Sequence, residues 1–133
     1  MAARREFDLL PEDSEFLDNY GLHWETISSN GQWVLLHEFL TPDGYNHSKV
    51  TVAIRLETGY PQSELDMAYF FPKLSRKDGK AIGRTESNQV IDGKDFQRWS
   101  RHRTAQNPWV AGEDHLGTHI LLVEDWLERE FEK

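Results

Sequence analysis

Ser100 and His102 stand two apart inside Gln97-Arg98-Trp99-Ser100-Arg101-His102-Arg103. A serine hydroxyl is a poor nucleophile unless a base removes its proton, and a histidine is the usual base. Arg98, Arg101 and Arg103 could hold a carboxylate or a developing oxyanion beside such a pair. Spacing decides whether the pair exists: residues 100 and 102 share a face in a strand and do not face each other in a helix. The alternative is a loop in which Trp99 anchors the core and the arginines are solvated or pair with the protein's own carboxylates. His115 and His119, four apart, have the helical spacing at which two imidazoles share one metal ion, with Asp114 or His102 as a third ligand. No Glu stands in the HExxH position, so zinc competes with a structural reading: His119 bonded in the core beside Trp126, and His115 at the helix entrance. No cofactor is otherwise implied. His23, His37 and His47 lie in or beside strand-like runs and suggest no specific chemistry.

Composition narrows the field further. The 133 residues suffice for one core, and 12% aromatics with five tryptophans argue for a folded, aromatic-rich interior beneath a polar surface of mean hydropathy -0.71. Most of those aromatics belong to the core, with Trp33 and Trp109 the candidates for partner anchors. A formal charge of -8 argues against general binding to nucleic acid or to an anionic membrane, so any anion site must be local, and the basic cluster from Arg98 to Arg103 would suit an acidic patch or a carboxylate. There is no cysteine, which excludes disulfides, thiolate metal ligation and a thiol nucleophile on this chain. No apolar run approaches the roughly 18 residues of a membrane span, and the N-terminal stretch lacks a secretory core, so a cytoplasmic location is expected.

The elements that must position these residues follow from periodicity. Residues 1–9 read as a flexible arm and 10–133 as a single domain. Pro11 opens a helix with Glu12, Asp13 and Glu15 in or near its first turn and Gly21 as its stop. Leu22 to Ser28, Gln32 to Leu40, Lys49 to Glu57 and Leu65 to Phe71 read as an antiparallel meander. Asn30-Gly31 closes the first hairpin, and alternation in the third run leaves one face nearer water. From Pro72 to about Gly112 no period persists, with Asp78-Gly79 and Asp92-Gly93 as turns. Leu116, Ile120, Val123, Leu127 and Phe131 mark a C-terminal amphipathic helix opened by Glu113 and Asp114.

Helix, four-stranded meander, irregular segment and helix is the element order of a ubiquitin-conjugating-enzyme (UBC) fold. Gly59-Tyr60-Pro61, between the third and fourth strands, resembles the Tyr-Pro flap of such domains. From about Leu10 to Phe131 the chain resembles the prokaryotic UBC-like family E. The resemblance rests on Leu10-Pro11, Phe16-Leu17, Gly44-Tyr45-Asn46, Leu65-Asp66-Met67, the 97–103 segment, Trp109, Gly112-Glu113-Asp114 and Thr118-His119. It implies an α+β UBC-like domain in a bacterial ubiquitin-like conjugation pathway. Its partners would be a ubiquitin-like modifier, an activating enzyme and a deconjugating metalloprotease.

A conjugating enzyme carries its modifier on a cysteine, which this chain lacks. Three readings remain open: a non-catalytic docking protein, an oxyester carrier through a hydroxyl, or a chain whose native cysteine was replaced; a His-based metal-dependent hydrolase is the alternative. Candidate positions in the active-site segment are Ala81, Thr85, Ser87 and Ser100, with His102 as the base for Ser100. The docking reading places binding at Tyr60, Pro61, Arg98, Trp99, Arg101, Arg103, Trp109 and Asp114.

Overall fold

The strand-like apolar runs all pair on a single sheet. The computed structural model describes residues 3–133. Helix α1 (Pro11–Tyr20) starts on its proline and ends at Gly21, whose φ of 90° a Cβ-bearing residue rarely adopts. Strands β1 (Trp24–Ser28) and β2 (Gln32–Leu40) are joined at Asn30-Gly31 and continue antiparallel into β3 (Lys49–Leu56) and β4 (Ala68–Phe71). A bulge between Leu36 and Phe39, with Glu38 at φ 57°, bends β2. Helix α2 (Leu116–Arg129) closes the chain with a final 3₁₀ turn, Glu130–Glu132.

The expected meander is therefore present, but the sheet is larger than four strands. The segment expected to be irregular contains β5 (Asn88–Ile91) and β6 (Lys94–Trp99), a hairpin turning on Asp92-Gly93, and the six strands run in the order β1-β2-β3-β4-β6-β5. Both turn residues have positive φ, 55° and 74°, as a two-residue primed turn requires.

The hairpin also changes what the second face of the sheet does. Val34, Leu36, Val52, Ile54 and Phe70 pack toward the helices with Leu116, Ile120, Val123 and Leu127. Trp33, Leu35, Ala53 and Tyr69 point the other way, the face expected nearer water, and there they are buried with Ile91 and Phe96 of the hairpin. Trp33 meets Tyr69 edge-on at 5.0 Å between ring centroids. The sheet curls until its ends meet: Asp92 N donates to Ser29 Oγ at 3.1 Å.

The N-terminal arm, expected to be flexible, completes this closure from residue 3 onward; residues 1 and 2 lie outside the described residues. Arg5 bridges Thr26 in parallel pairing, Thr26 Oγ1 donates to the Phe7 carbonyl, and the Arg5 guanidinium lies 3.4 Å from the Trp24 ring centroid. Arg4 forks between two carboxylates, reaching Glu25 at 2.9 Å and Asp92 at 2.8 Å, so the arm ties β1 to the β5–β6 turn. These hydrogen bonds hold the Glu25 carboxyl well below its ordinary pKa. Because Arg4 is substantially exposed, Arg4→Ala should cost no more than about 1 kcal/mol in global stability while sharply accelerating amide exchange at Glu6 and Thr26. Unchanged exchange at those two amides would mean that Arg4 does not hold the arm.

Candidate functional site

Tyr60 and Pro61 follow β3 in a turn that brings the flap against both helices. The Tyr60 hydroxyl donates to Asp13 Oδ2 of α1 at 2.7 Å and accepts from Leu116 N, the first amide of α2, also at 2.7 Å. Asp13 is completely buried, on the same face of α1 as Leu17. Burial raises its pKa above the ordinary aspartate value, with the Tyr60 bond acting in the opposite direction. Pro61 offers its carbonyl to Trp109 Nε1 at 3.1 Å, and the Trp109 and Tyr60 rings lie 6.3 Å apart. Trp109, a candidate anchor for partners, is thus half-buried as the lid of the flap.

Arg103 lies beneath Trp109, its guanidinium 5.1 Å from the ring and 3.8 Å from Asp114 Oδ1. Asp114 accepts from Val110 N at 2.8 Å and closes the turn before α2. The flap, Trp109, Arg103 and Asp114 are therefore linked by direct contacts to one another and to the start of α2. Glu113 and Asp114, expected to open that helix, precede it. His115 is the N-cap, accepting from Gly117 N through Nδ1, and Thr118 completes a reciprocal capping box.

The remaining arginines part company. Alternation along β6 sends Arg98 to the sheet face that holds Phe96 and Tyr69, away from Arg101 and Arg103. Trp99, expected on the binding surface, is wholly buried instead, its Nε1 donating to Gln97 and its ring 4.9 Å from the Arg101 guanidinium. It anchors the segment from within. Arg101 reaches the buried Glu130 at 3.3 Å, where Arg76 also converges, and donates to the Gly83 carbonyl. Together Arg84, Arg101, Arg103 and Lys133 line a basic cleft of about 370 Å³ that also exposes Ser100 and His102.

Ser100 and His102 share that cleft but do not form the expected pair. Among the described residues no hydrogen bond joins Ser100 Oγ to His102, whose Nδ1 lies 2.8 Å from Asp66 Oδ2. Ser100 N is committed to the Arg84 carbonyl and Arg101 O accepts from Met67 N, fixing the backbone on both sides. With its imidazole held by Asp66, His102 is oriented, but the nearby hydroxyl has no base.

The proposed zinc set is likewise dispersed. His115 serves as the cap, His102 faces Asp66, and His119 is buried with Nε2 2.8 Å from the Met67 carbonyl and its ring edge-on to Trp126 at 5.6 Å. Burial pushes the His119 pKa down to about 4, so it is neutral at pH 7. A ring nitrogen of each histidine is already engaged, and the three do not converge on one ion. The structural alternative for His115 and His119 is the one observed.

Two participants have roles that the sequence does not announce. Asp13 could have been found from its i, i+4 spacing to Leu17, since an acid on a buried helical stripe needs a partner. Asp66 carried no signal beyond its place in Leu65-Asp66-Met67, because its partner lies 36 residues away.

None of the helices is long and apolar enough to cross a membrane, among the described residues. No curated protein and no solved structure matches the chain. A family model described as prokaryotic E2 family E matches residues 9–130, a span that takes in α1, the whole sheet, the flap, the arginines of the basic cleft and α2. The chain belongs to prokaryotic E2 family E, and its place is an E2-like role in prokaryotic ubiquitin-like conjugation.

Proposed function

We propose that this chain is a docking component of its conjugation pathway, binding the ubiquitin-like modifier, its activating enzyme, or both, without carrying the modifier covalently. The observation that supports this most strongly is chemical: an E2-like chain without a single cysteine has no thiolate to accept an activated carboxyl group. An oxyester would need a deprotonated hydroxyl, and among the described residues no base is hydrogen-bonded to Ser100 in the cleft lined by Arg84, Arg101, Arg103 and Lys133.

What remains suits recognition. In a protein of charge -8, this cleft gathers four cations beside the aromatic lid of Trp109: Arg101 and Lys133 pair with Glu130, Arg103 pairs with Asp114, and Arg84 is exposed, which leaves a local positive patch centred on Arg84. A modifier's C-terminal carboxylate or an acidic surface of either partner complements it. Calorimetric titration with the pathway's modifier and, separately, its activating enzyme should show saturable 1:1 binding to at least one. Arg84 is exposed, so Arg84→Glu should preserve the fold while weakening that binding about tenfold and reducing its salt dependence. Failure of both proteins to bind would reject the proposal.

A further inference from the structure

Away from the flap and the basic cleft, three side chains converge at the start of the first hairpin. His23 precedes β1, Glu25 lies within it, and His37 faces both from β2. A ring nitrogen from each histidine and a carboxylate oxygen all lie within 4.8 Å of one another. We infer that His23, Glu25 and His37 form a binding site for one divalent ion of the zinc class, on a part of the protein not used by the proposed docking surface.

The donor set fits such an ion. Two imidazoles and one carboxylate suit a borderline divalent cation, and three protein ligands leave at least one position for water. The backbone supports the arrangement, since His37 N donates to the His23 carbonyl at 2.9 Å and brings the two rings to 5.3 Å between centroids. His37 is also oriented from behind: its Nδ1 lies 3.2 Å from Thr51 Oγ1 on β3, leaving Nε2 directed at Glu25 Oε1, 2.8 Å away. A hydrogen-bonded second nitrogen fixes ring orientation and tautomer in metal-bound histidines. Metal–ligand bonds of about 2.0–2.1 Å in a tetrahedron place neighbouring donors about 3.3 Å apart, so entry of the ion opens that His37–Glu25 contact by about half an ångström and draws in the donors that now lie up to 4.8 Å apart.

Arg4 is the resident competitor. It donates to Glu25 Oε1 through Nη2 at 3.0 Å and to Oε2 through Nε and its backbone N at 2.9 and 3.0 Å. Ligation through Oε1 leaves both Oε2 bonds in place, so the arm stays docked while the nearby guanidinium opposes the incoming charge. The site therefore has a signature that scattered surface histidines lack: removing the Arg4 charge strengthens binding, and disturbing Thr51, which touches no ion, weakens it.

Isothermal titration of the full chain with zinc chloride at pH 7.5, with elemental analysis after dialysis, tests this. One equivalent is expected to bind saturably. His37→Ala should lower the affinity about 100-fold or more and Thr51→Val about tenfold, the range for losing an orienting hydrogen bond. Arg4→Gln should raise the affinity, and His47→Ala, at a histidine outside the group, should leave it unchanged. His23→Gln changes an exposed residue and serves as the ligand deletion should His37→Ala fail to fold. The absence of saturable uptake, or uptake that survives loss of either ligand histidine, would overturn the site.

Discussion

Tyr60→Phe is expected to lower the free energy of unfolding by about 3 kcal/mol, although it removes a single oxygen atom. That oxygen joins three elements: it donates to Asp13 of α1, accepts from the first amide of α2, and belongs to the flap. Leu116 and Asp13 are both completely buried, so water cannot replace the lost partner. Among the described residues Asp13 Oδ1 already has no hydrogen-bond partner, and the substitution would remove the Tyr60 bond from the second oxygen as well. Desolvation of that carboxyl dominates the cost. Asp13→Asn separates the contributions: it keeps a carbonyl acceptor for Tyr60 and removes the buried charge, so its loss should be about 1 kcal/mol or less. Urea denaturation of the three proteins checks the ordering. A Tyr60→Phe variant within about 0.5 kcal/mol of the parent would show that the flap is not fastened through this hydroxyl.

Acidification should cost the protein about 3 kcal/mol between pH 6.5 and pH 4 through His119 alone. Its pKa falls from 6.5 to about 4 in the folded chain because burial disfavours the imidazolium, and the neighbouring Arg103 charge acts in the same direction. The Met67 carbonyl and the carboxylates of Asp66 and Asp114 oppose the shift without cancelling it. A depressed folded pKa means that the unfolded chain binds the proton more readily. The stabilisation is therefore complete above pH 6.5 and is lost as the pH falls toward 4. Asp13 acts with the opposite sign, since its raised pKa makes protonation favour the folded state as the pH falls. The contribution of His119 is accordingly the difference between parent and His119→Gln stability curves over this window. Parallel curves would mean that His119 is not held neutral by its surroundings.

Much of the scaffold behind these two networks is legible in the sequence, because its signals are local. Pro11 and Gly21 bracket α1, Asn30-Gly31 turns the first hairpin, and the spacing from Leu116 to Leu127 marks α2. The β5–β6 hairpin is harder to see. Its strands have only four and six residues, and Asn88, Gln89, Lys94 and Asp95 dilute the apolar alternation that would announce them. Their strandedness comes from pairing with β4 and from covering Trp33, both tertiary effects, although Asp92-Gly93 did mark the turn. Met67, at φ 58°, shortens the fourth run to begin at Ala68.

The site divides in the same way. Tyr60, Pro61, Arg103, Trp109 and Asp114 come together because the turn and helix cap that hold them carry their own chemistry. Ser100 and His102 did not pair because proximity along the chain fixes neither side-chain direction nor partner, and Asp66 claims the imidazole from a distant loop. The His23, Glu25 and His37 group was invisible for the converse reason, since only the hairpin register and the fold of β2 over β1 bring those side chains together.

The most direct test of a non-covalent role is intact-mass spectrometry of the purified chain after incubation with activating enzyme, ATP and modifier. Hydroxylamine-treated and untreated samples should be compared, and binding followed in parallel. The chain should keep its unmodified mass in every sample while the complex is detected by binding. A mass increase of one modifier that alkaline hydroxylamine removes and Ser100→Ala abolishes would contradict that account and establish an oxyester carrier.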